Sequence, residues 1–417
     1  MERTVKFLRY LPEFGYDARV LTTSAFGTGE RDGVLHAWEP LQLYRYLFNR
    51  SVRAGAPSSA RTDAGRLGGL RQWLRCAVCV PDLQLTWLPA ALWRGLRSLR
   101  RGPADLIYST YPPASAHLLG LALKNLTGLP WVADFRDSWI YDPLDPALDA
   151  MPYRRALEQR LEEAVVAAAD AVLAATEITA EHLRLRHPQA AARVQVIANG
   201  FDPEEFESAE PQEGGPLQLV HTGSFSLSHP RRTPQPLFSA METLLDAEPA
   251  WAQRLQLVLV GQLTPAEHKA AARLEKAGMV QITGPLDRRA ALAHQQRAHA
   301  LLLVDHVRPW PSSNVPGKFY EYLACRRPIL ALAGSGMVER LMRQLRAGIC
   351  TPADDHLAIR AALVDLYARY QKGTLESQVD EDQLCNFHRR ALTRRLAACF
   401  DHLLTGQSPP PSDVECR

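Results

Sequence analysis

At 417 residues, with 46% hydrophobic and 22% charged side chains, the chain has the composition of a folded protein of two domains and excludes a largely disordered one. Its longest apolar stretch, Ala164–Ala175, is twelve residues broken by Asp170. A bilayer crossing needs about twenty, so no membrane-spanning helix is expected. The first residues, MERTVKFLRY, are charged throughout and have no apolar leader core, which points to a cytoplasmic protein.

The net charge of +3 says little, but its distribution says more. Between Arg45 and Arg101 eleven arginines face two acids, Asp63 and Asp82, and Trp73, Trp87 and Trp93 are interleaved with them. Such a stretch suits an anionic membrane surface, which would make the protein peripheral on the inner face, or a phosphorylated acceptor. No nucleic-acid module accompanies the charge, so nucleic acid is not an expected partner. Seven cysteines form an odd, scattered set that suggests no disulfide framework. The lone CxxC at Cys76 and Cys79 lacks a second pair or a preceding strand, and reads as thiols on a helix.

Short β-branched runs alternate with helical patterns. The expected strands of the first half are Arg19–Thr22, Asp105–Ser109, Trp131–Phe135, Ala171–Ala175 and Val194–Ile197, with helices over Ala114–Asn125 and Tyr153–Ala169. An acidic, Gly/Pro-rich joint, Asp202–Pro216, reads as a linker. Beyond it strands are expected at Leu217–His221, Leu255–Val260, Val280–Thr283, Ala300–Val304, Ile329–Leu332 and Gly348–Thr351. Helices separate them at Gln235–Asp246, Pro265–Ala277, Arg288–Arg297, Gly317–Cys325, Met337–Leu345 and His356–Tyr370. This rhythm predicts an α/β protein with two doubly wound, Rossmann-like parallel-sheet domains, over 1–203 and 204–375.

Open parallel sheets bind ligands beyond the carboxyl ends of their strands, so the residues after each strand are the ones to interrogate. After Leu217–His221 come Thr222, Gly223, Ser224 and Phe225, then Arg231 and Arg232. A glycine there lets backbone approach a ligand, and paired guanidinium groups suit a diphosphate. After Ala300–Val304 the run Ser312-Ser313-Asn314-Val315-Pro316-Gly317-Lys318 leads into a short helix. Lys318 in a first turn is disfavoured by the helix dipole unless an anion is present, and Glu321 shares its face at i,i+3. A nucleoside diphosphate fits, with Lys318 on the phosphates and Glu321 on the ribose; a surface Lys–Glu pair is the alternative. In the first half, Asp134, Arg136 and Asp137 end a strand, so they pair with one another or face a cleft. An Asp134–Arg136 pair leaves Asp137 as the cleft residue. His117 lies one turn into a helix, where it is a ligand group or a core residue. Asp354-Asp355 precedes a helix and reads as its cap rather than a metal motif.

Taken together, RTVKFLRYLPEFGYDARVLT, DLIYSTYPP, GLPWVADFRDSW, VIANGFD, HTGSF and VPGKFYEYLACRRPILAL resemble, in order, segments of the retaining family-4 glycosyltransferases of the GT-B fold. The similarity is greatest to the bacterial branch of polysaccharide or lipid-linked glycan assembly. The resemblance implies two domains facing a cleft and transfer of a sugar, with retention, from a UDP- or GDP-linked donor to a glycan or lipid-linked acceptor. It implies no metal or other cofactor. It assigns Arg231 or Arg232, together with Lys318, to the diphosphate and Glu321 to the ribose. Gly223, Ser224, Asn314 and Val315 fall beside the donor. Asp137 becomes a catalytic or acceptor-orienting group, with His117 and Arg136 on the acceptor side. A segment over 376–405, including a helix at Glu381–Leu404, is implied to cross back to the first domain before a tail at 406–417.

Two features depart from the family pattern. Ser313 stands where a second glutamate is often found, and the sequence starts with a helix where a first strand and Gly-rich loop are expected. An impaired or truncated homologue acting as an interaction partner, and a hydrolysing epimerase, are the alternative readings.

Overall fold

The computed structural model describes residues 2–24, 33–39, 80–143, 148, 151–206, 214–229 and 231–406. The chain divides into two compact units. One runs to Ala198 and resumes at Thr393, and the other covers Asn199–Leu392. Both are parallel α/β, as the alternation of short apolar runs and amphipathic stretches requires.

In the first unit β1 (Val20–Thr23) and β2 (Val34–Ala37) form one parallel pair. A separate sheet runs β3 (Ile107–Tyr111), β4 (Trp131–Phe135), β5 (Ala171–Ala174) and β6 (Val194–Val196), all parallel. Helices α1 (Glu2–Tyr10), α2 (Leu88–Arg101), α3 (Ala114–Thr127), α4 (Pro152–Ala168) and α5 (Glu177–Arg186) flank these strands. Among the described residues no strand joins β1–β2 to the four-stranded sheet. The two share an apolar layer instead, in which Leu21 and Ile107 pack against Ala91, Leu119 and Leu123. Neither β2 nor α2 was legible as an element. β2 is only four residues long, and the arginines of α2 mask apolar residues at helical spacing (Leu88, Ala91, Leu92, Gly95, Leu96, Leu99).

A buried ion pair fastens α1 to this sheet. The Arg3 guanidinium donates to both oxygens of Asp134 at 3.0 and 2.9 Å and to the Ala198 carbonyl at 2.7 Å. Asp134 also accepts the Tyr108 and Thr110 hydroxyls at 2.5 and 3.2 Å. Burying two charges is costly, and these bonds satisfy the lone pairs that water would otherwise occupy. Asp134 therefore pairs with Arg3 and not with Arg136, which lies beyond the end of β4 and pairs with Asp137 instead.

The second unit holds β7 (Leu217–Thr222), β8 (Leu255–Val260), β9 (Val280–Gly284), β10 (Ala300–Val304), β11 (Ile329–Leu332) and β12 (Gly348–Thr351). Their spatial order is β12-β11-β10-β7-β8-β9. This is the Rossmann order, with a reversal between β7 and β10. The connecting helices are α6 (Gln235–Ala247), α7 (Pro265–Lys276), α8 (Arg288–Arg297), α9 (Gly317–Ala324), α10 (Met337–Leu345) and α11 (His356–Gln371). Asp355 caps α11 by accepting from Leu357 and Ala358, as its position suggested.

The final helix is broken where one continuous helix was expected. Separate helices α12 (Glu381–Cys385) and α13 (Arg389–Thr405) flank a turn that bonds to Phe201: Phe201 N–H donates to Phe387 O, and Arg389 N–H to Phe201 O. From Thr393 onward α13 packs in the first unit, where Tyr16 donates to Asp401 at 2.6 Å. Cys325, Cys350 and Cys399 are free, and burial pushes the first two up to about 12 and 11, which makes them poor nucleophiles. Among the described residues no helix is long and apolar enough to cross a membrane.

Removing one partner of a buried pair strands the other's charge. Asp134→Ala is expected to lower stability by about 3–5 kcal/mol, measured by urea denaturation followed by circular dichroism. A change within error would show that Arg3 finds water in the folded protein.

Candidate functional site

β7 and β8 stay paired over six residues, Leu217–Thr222, whereas β7 and β10 pair only at Leu219↔Ala300 and Val220↔Leu301. Past Val220 the two strands part at the reversal point of the sheet, where a crevice opens. Two side chains of α9 fill it. Tyr322 Oη accepts the Thr222 N–H at 3.2 Å and donates to the Leu302 carbonyl at 3.3 Å. Lys318, one turn earlier on the same face, donates to the Thr222 carbonyl at 2.6 Å. The peptide groups of Thr222 freed by the splay are thus held by α9.

Glycine is required beside this clamp. Gly223 has φ +103°, and a Cβ there would lie 2.9 Å from Lys318 Nζ. Gly261, at the end of β8, has φ +154°, and a Cβ would meet the Gly223 carbonyl at 2.2 Å. The loop after Gly223 is tied down by Glu267, which accepts the Ser226 N–H and hydroxyl at 3.1 and 2.7 Å while closing the capping box of α7 with Thr264.

Cations converge on the crevice. Arg232 donates to Asp305 at 3.1 Å and to the Ser228 hydroxyl at 2.9 Å. Asp305, the first residue after β10, also accepts from Arg308 at 3.0 Å, and His306 Nδ1 lies 3.2 Å from it. Burial opposes its ionisation, but His306, Arg308 and Arg232 outweigh that and hold its carboxyl well below the usual range. The His229 ring stacks on His306 with centroids 3.8 Å apart, and burial followed by the neighbouring cations lowers His229 to about 4. Lys318 is lowered from 10.5 to about 8, first by burial and then by Arg232, with Glu321 and Asp305 pulling the other way. Arg231 is exposed on the turn that carries Arg232.

Glu321 sits one turn beyond Lys318 and does not bond to it. It accepts from Arg288 at 2.9 Å and from Gln295 at 3.2 Å, and Gln295 also donates to the Thr222 hydroxyl at 2.9 Å. Ser313 is buried and Asn314 and Val315 are half-buried at the entrance to α9, whose first amides have no partner within the helix. The preceding loop is pinned to the start of α10: Ser312 N–H donates to Ser335 O, and Met337 N–H to Ser312 O.

In the first unit Arg136 and Asp137 pair at 3.3 Å beyond the end of β4, each about a quarter exposed (24%). Burial raises Asp137 and Arg136 opposes it. His117 is fully buried, 2.8 Å from the Ser109 hydroxyl and 4.7 Å from the Phe135 ring between centroids. Burial lowers it to about 3, so it is a neutral core group.

Residues 2–200 match the family model described as a glycosyl transferase 4-like domain, and residues 219–369 match the model of the glycosyl transferases group 1. The chain is a GT-B glycosyltransferase. Among solved structures it is similar to a sucrose-phosphate synthase from Thermosynechococcus elongatus, at 16% identity over 78% of this chain and 80% of that one, with a TM-score of 0.57. It is likewise similar to Anabaena HepE in complex with UDP, at 17% identity over 76% and 84%, with a TM-score of 0.55. A glycosyltransferase from Rickettsia africae matches at 12% identity over 97% and 95%, with a TM-score of 0.56. At these identities the likeness is one of fold. No curated protein matches this chain.

In this glycosyltransferase the crevice gathers Gly223, Arg232, Lys318 and Glu321 from the residues singled out in the sequence, and leaves Arg231 outside their bonds. Sequence reasoning missed Asp305, His306, Arg308 and Tyr322. Asp305 was within reach, since it follows the fully apolar strand β10 just as Gly223 follows β7. Tyr322 could not be found, because its task is set by a splay visible only in the sheet. Of the stretch from Arg45 to Arg101, positions 45–79, including the CxxC, lie outside the described residues.

The Lys318 shift fixes a stability trend. The folded state holds this proton less tightly than the unfolded chain, so stability rises as pH climbs from about 8 to 10.5. Thermal melts across pH 6–11 are expected to show wild type gaining on Lys318→Met over that window. A constant difference would mean that the amine is not buried.

Proposed function

We propose that this glycosyltransferase moves a sugar, with retention, from a UDP- or GDP-linked donor held by the second unit to a glycan or lipid-linked acceptor held by the first. The observation that carries the reading is the meeting of Arg232 and Lys318 where β7 and β10 diverge, with the charge of Arg232 felt at Lys318. One buried carboxylate, Asp305, orients this cationic group, and a diphosphate supplies the charge that would neutralise it. HepE, whose fold this chain shares, has been crystallised with UDP and with UDP-glucose.

In this reading Lys318 and Arg232 bind the two phosphates and stabilise the charge that grows on the departing nucleotide. Gly223 and Ser224 bring backbone close to the same phosphates, with Arg231 at the rim. Glu321 exchanges Arg288 for the ribose hydroxyls, and Asn314 and Val315 flank the phosphates at the entrance to α9. Ser313 contributes to the sugar subsite. Asp137, paired with Arg136, orients the acceptor hydroxyl, and His117 supports that wall from inside. The hydroxyl attacks from the face the nucleotide leaves, and its proton passes to the departing phosphate oxygen. The fixed cations take the part of a divalent ion, so no metal is needed. The arginine-rich stretch Arg45–Arg101 holds the enzyme to an anionic membrane surface on the cytoplasmic side.

Lys318→Ala and Glu321→Ala are each expected to lower kcat by about 100-fold or more while moving the melting temperature little. Collapse of folding instead would make them structural. UDP is expected to raise the melting temperature of wild type and not of Lys318→Ala, by mass action on the folded state. Transfer is expected to survive EDTA, and metal dependence would contradict the cation account. Release of free sugar from donor alone, at the rate seen with acceptor, would favour the epimerase alternative.

A further inference from the structure

The described end of the arginine-rich stretch folds into a defined feature. Arg94, Arg97 and Arg101 line a pocket of about 220 Å³ together with Arg19, Leu35, Ser98 and Gly102. The three come from α2 at spacings of three and four, so they share one helix face. Arg19 is already committed. Its guanidinium donates to the Ser98, Gly102 and Pro103 carbonyls at 3.3, 2.6 and 3.0 Å, closing the end of α2.

The other three guanidinium groups have no carboxylate partner among the described residues, although like charges at these spacings repel. Helix-dipole stabilisation accounts for Arg101 in the last turn, but not for Arg94 at mid-helix. Arg97 lies over the Trp93 ring at 5.2 Å, and that indole is 57% exposed beside the pocket. The opposite face of α2, through Ala91, Gly95, Leu92 and Leu96, is spent on the core. An outward face that combines an exposed indole with unneutralised guanidinium groups suits a boundary that is both anionic and partly apolar.

We propose that this pocket binds the phosphate of an anionic lipid headgroup, with Trp93 entering the interfacial layer beside it. Guanidinium forks match phosphate oxygens in pairs, and three of them around one pocket set the orientation of α2 on the surface. The proposal narrows the membrane reading of the arginine-rich stretch to four residues and is independent of the donor site.

The test is co-sedimentation of the full chain with vesicles of phosphatidylcholine, either pure or with about 30 mol% phosphatidylglycerol, at about 0.1 M salt. Wild type is expected to bind the anionic vesicles only. Arg94→Gln, Arg97→Gln and Arg101→Gln combined are expected to weaken that binding on the order of 100-fold. The same variant should keep a cooperative thermal melt by circular dichroism, which reports that it is folded. Trp93→Ala should weaken vesicle binding as well. Anionic binding that survives the triple change overturns the pocket while sparing the membrane reading. Failure of wild type to prefer anionic vesicles overturns both. A melting-temperature rise with inorganic phosphate that needs these arginines, without vesicle binding, would assign the pocket to a soluble phosphate and overturn the lipid.

Discussion

Between β7 and β10 the second sheet reverses the direction in which its strands are laid down, and the two strands stay bonded over only two residue pairs. Every feature of the candidate site follows from that parting. It frees both polar groups of the Thr222 peptide, which α9 then satisfies with Tyr322 and Lys318. It sets the residues that follow the two strands, Gly223 and Asp305, on either side of one crevice. It also forces an ammonium group into surroundings where burial strips away its water, which is why Lys318 holds its proton weakly.

A buried cation in such a place needs orientation more than neutralisation. Asp305 provides it for Arg232 and Arg308, and the His229 ring, lowered to about 4 by burial and the neighbouring cations, stacks on His306 beside them. Fixed in this way, the cations cost little reorganisation when an anion arrives, which is the condition under which electrostatics contributes most to a group-transfer reaction. The arginines of α2 are the opposite case. They are exposed and screened by salt, so their effect depends on number and on a surface large enough to meet several at once.

The first unit handles charge by a third route. Asp134 and Arg3 are wholly internal, and their bonds to Tyr108, Thr110 and the Ala198 carbonyl make them part of the framework. That leaves Arg136 and Asp137, one step past the strand, as the outward-facing pair. Three charged residues in four positions thus divide into one structural group and two available ones.

The sequence alone determined the alternation of strand and helix, because a parallel strand buried on both faces must read as an unbroken apolar run such as Ala300–Val304 or Ile329–Leu332. It also marked Gly223, Arg232, Lys318 and Glu321, since a glycine after a strand and a lysine in a first helical turn are locally unfavourable unless something compensates. The partners of Arg232 and Lys318, Asp305 and Thr222, lie 73 and 96 positions away, and only the tertiary structure could supply them. The same is true of Asp134 and Arg3, 131 positions apart, and of α2, whose arginines hid a helix. Local pattern reveals where a chain departs from the easy choice. Which distant group makes that departure tolerable is decided by the order in which the strands are laid side by side.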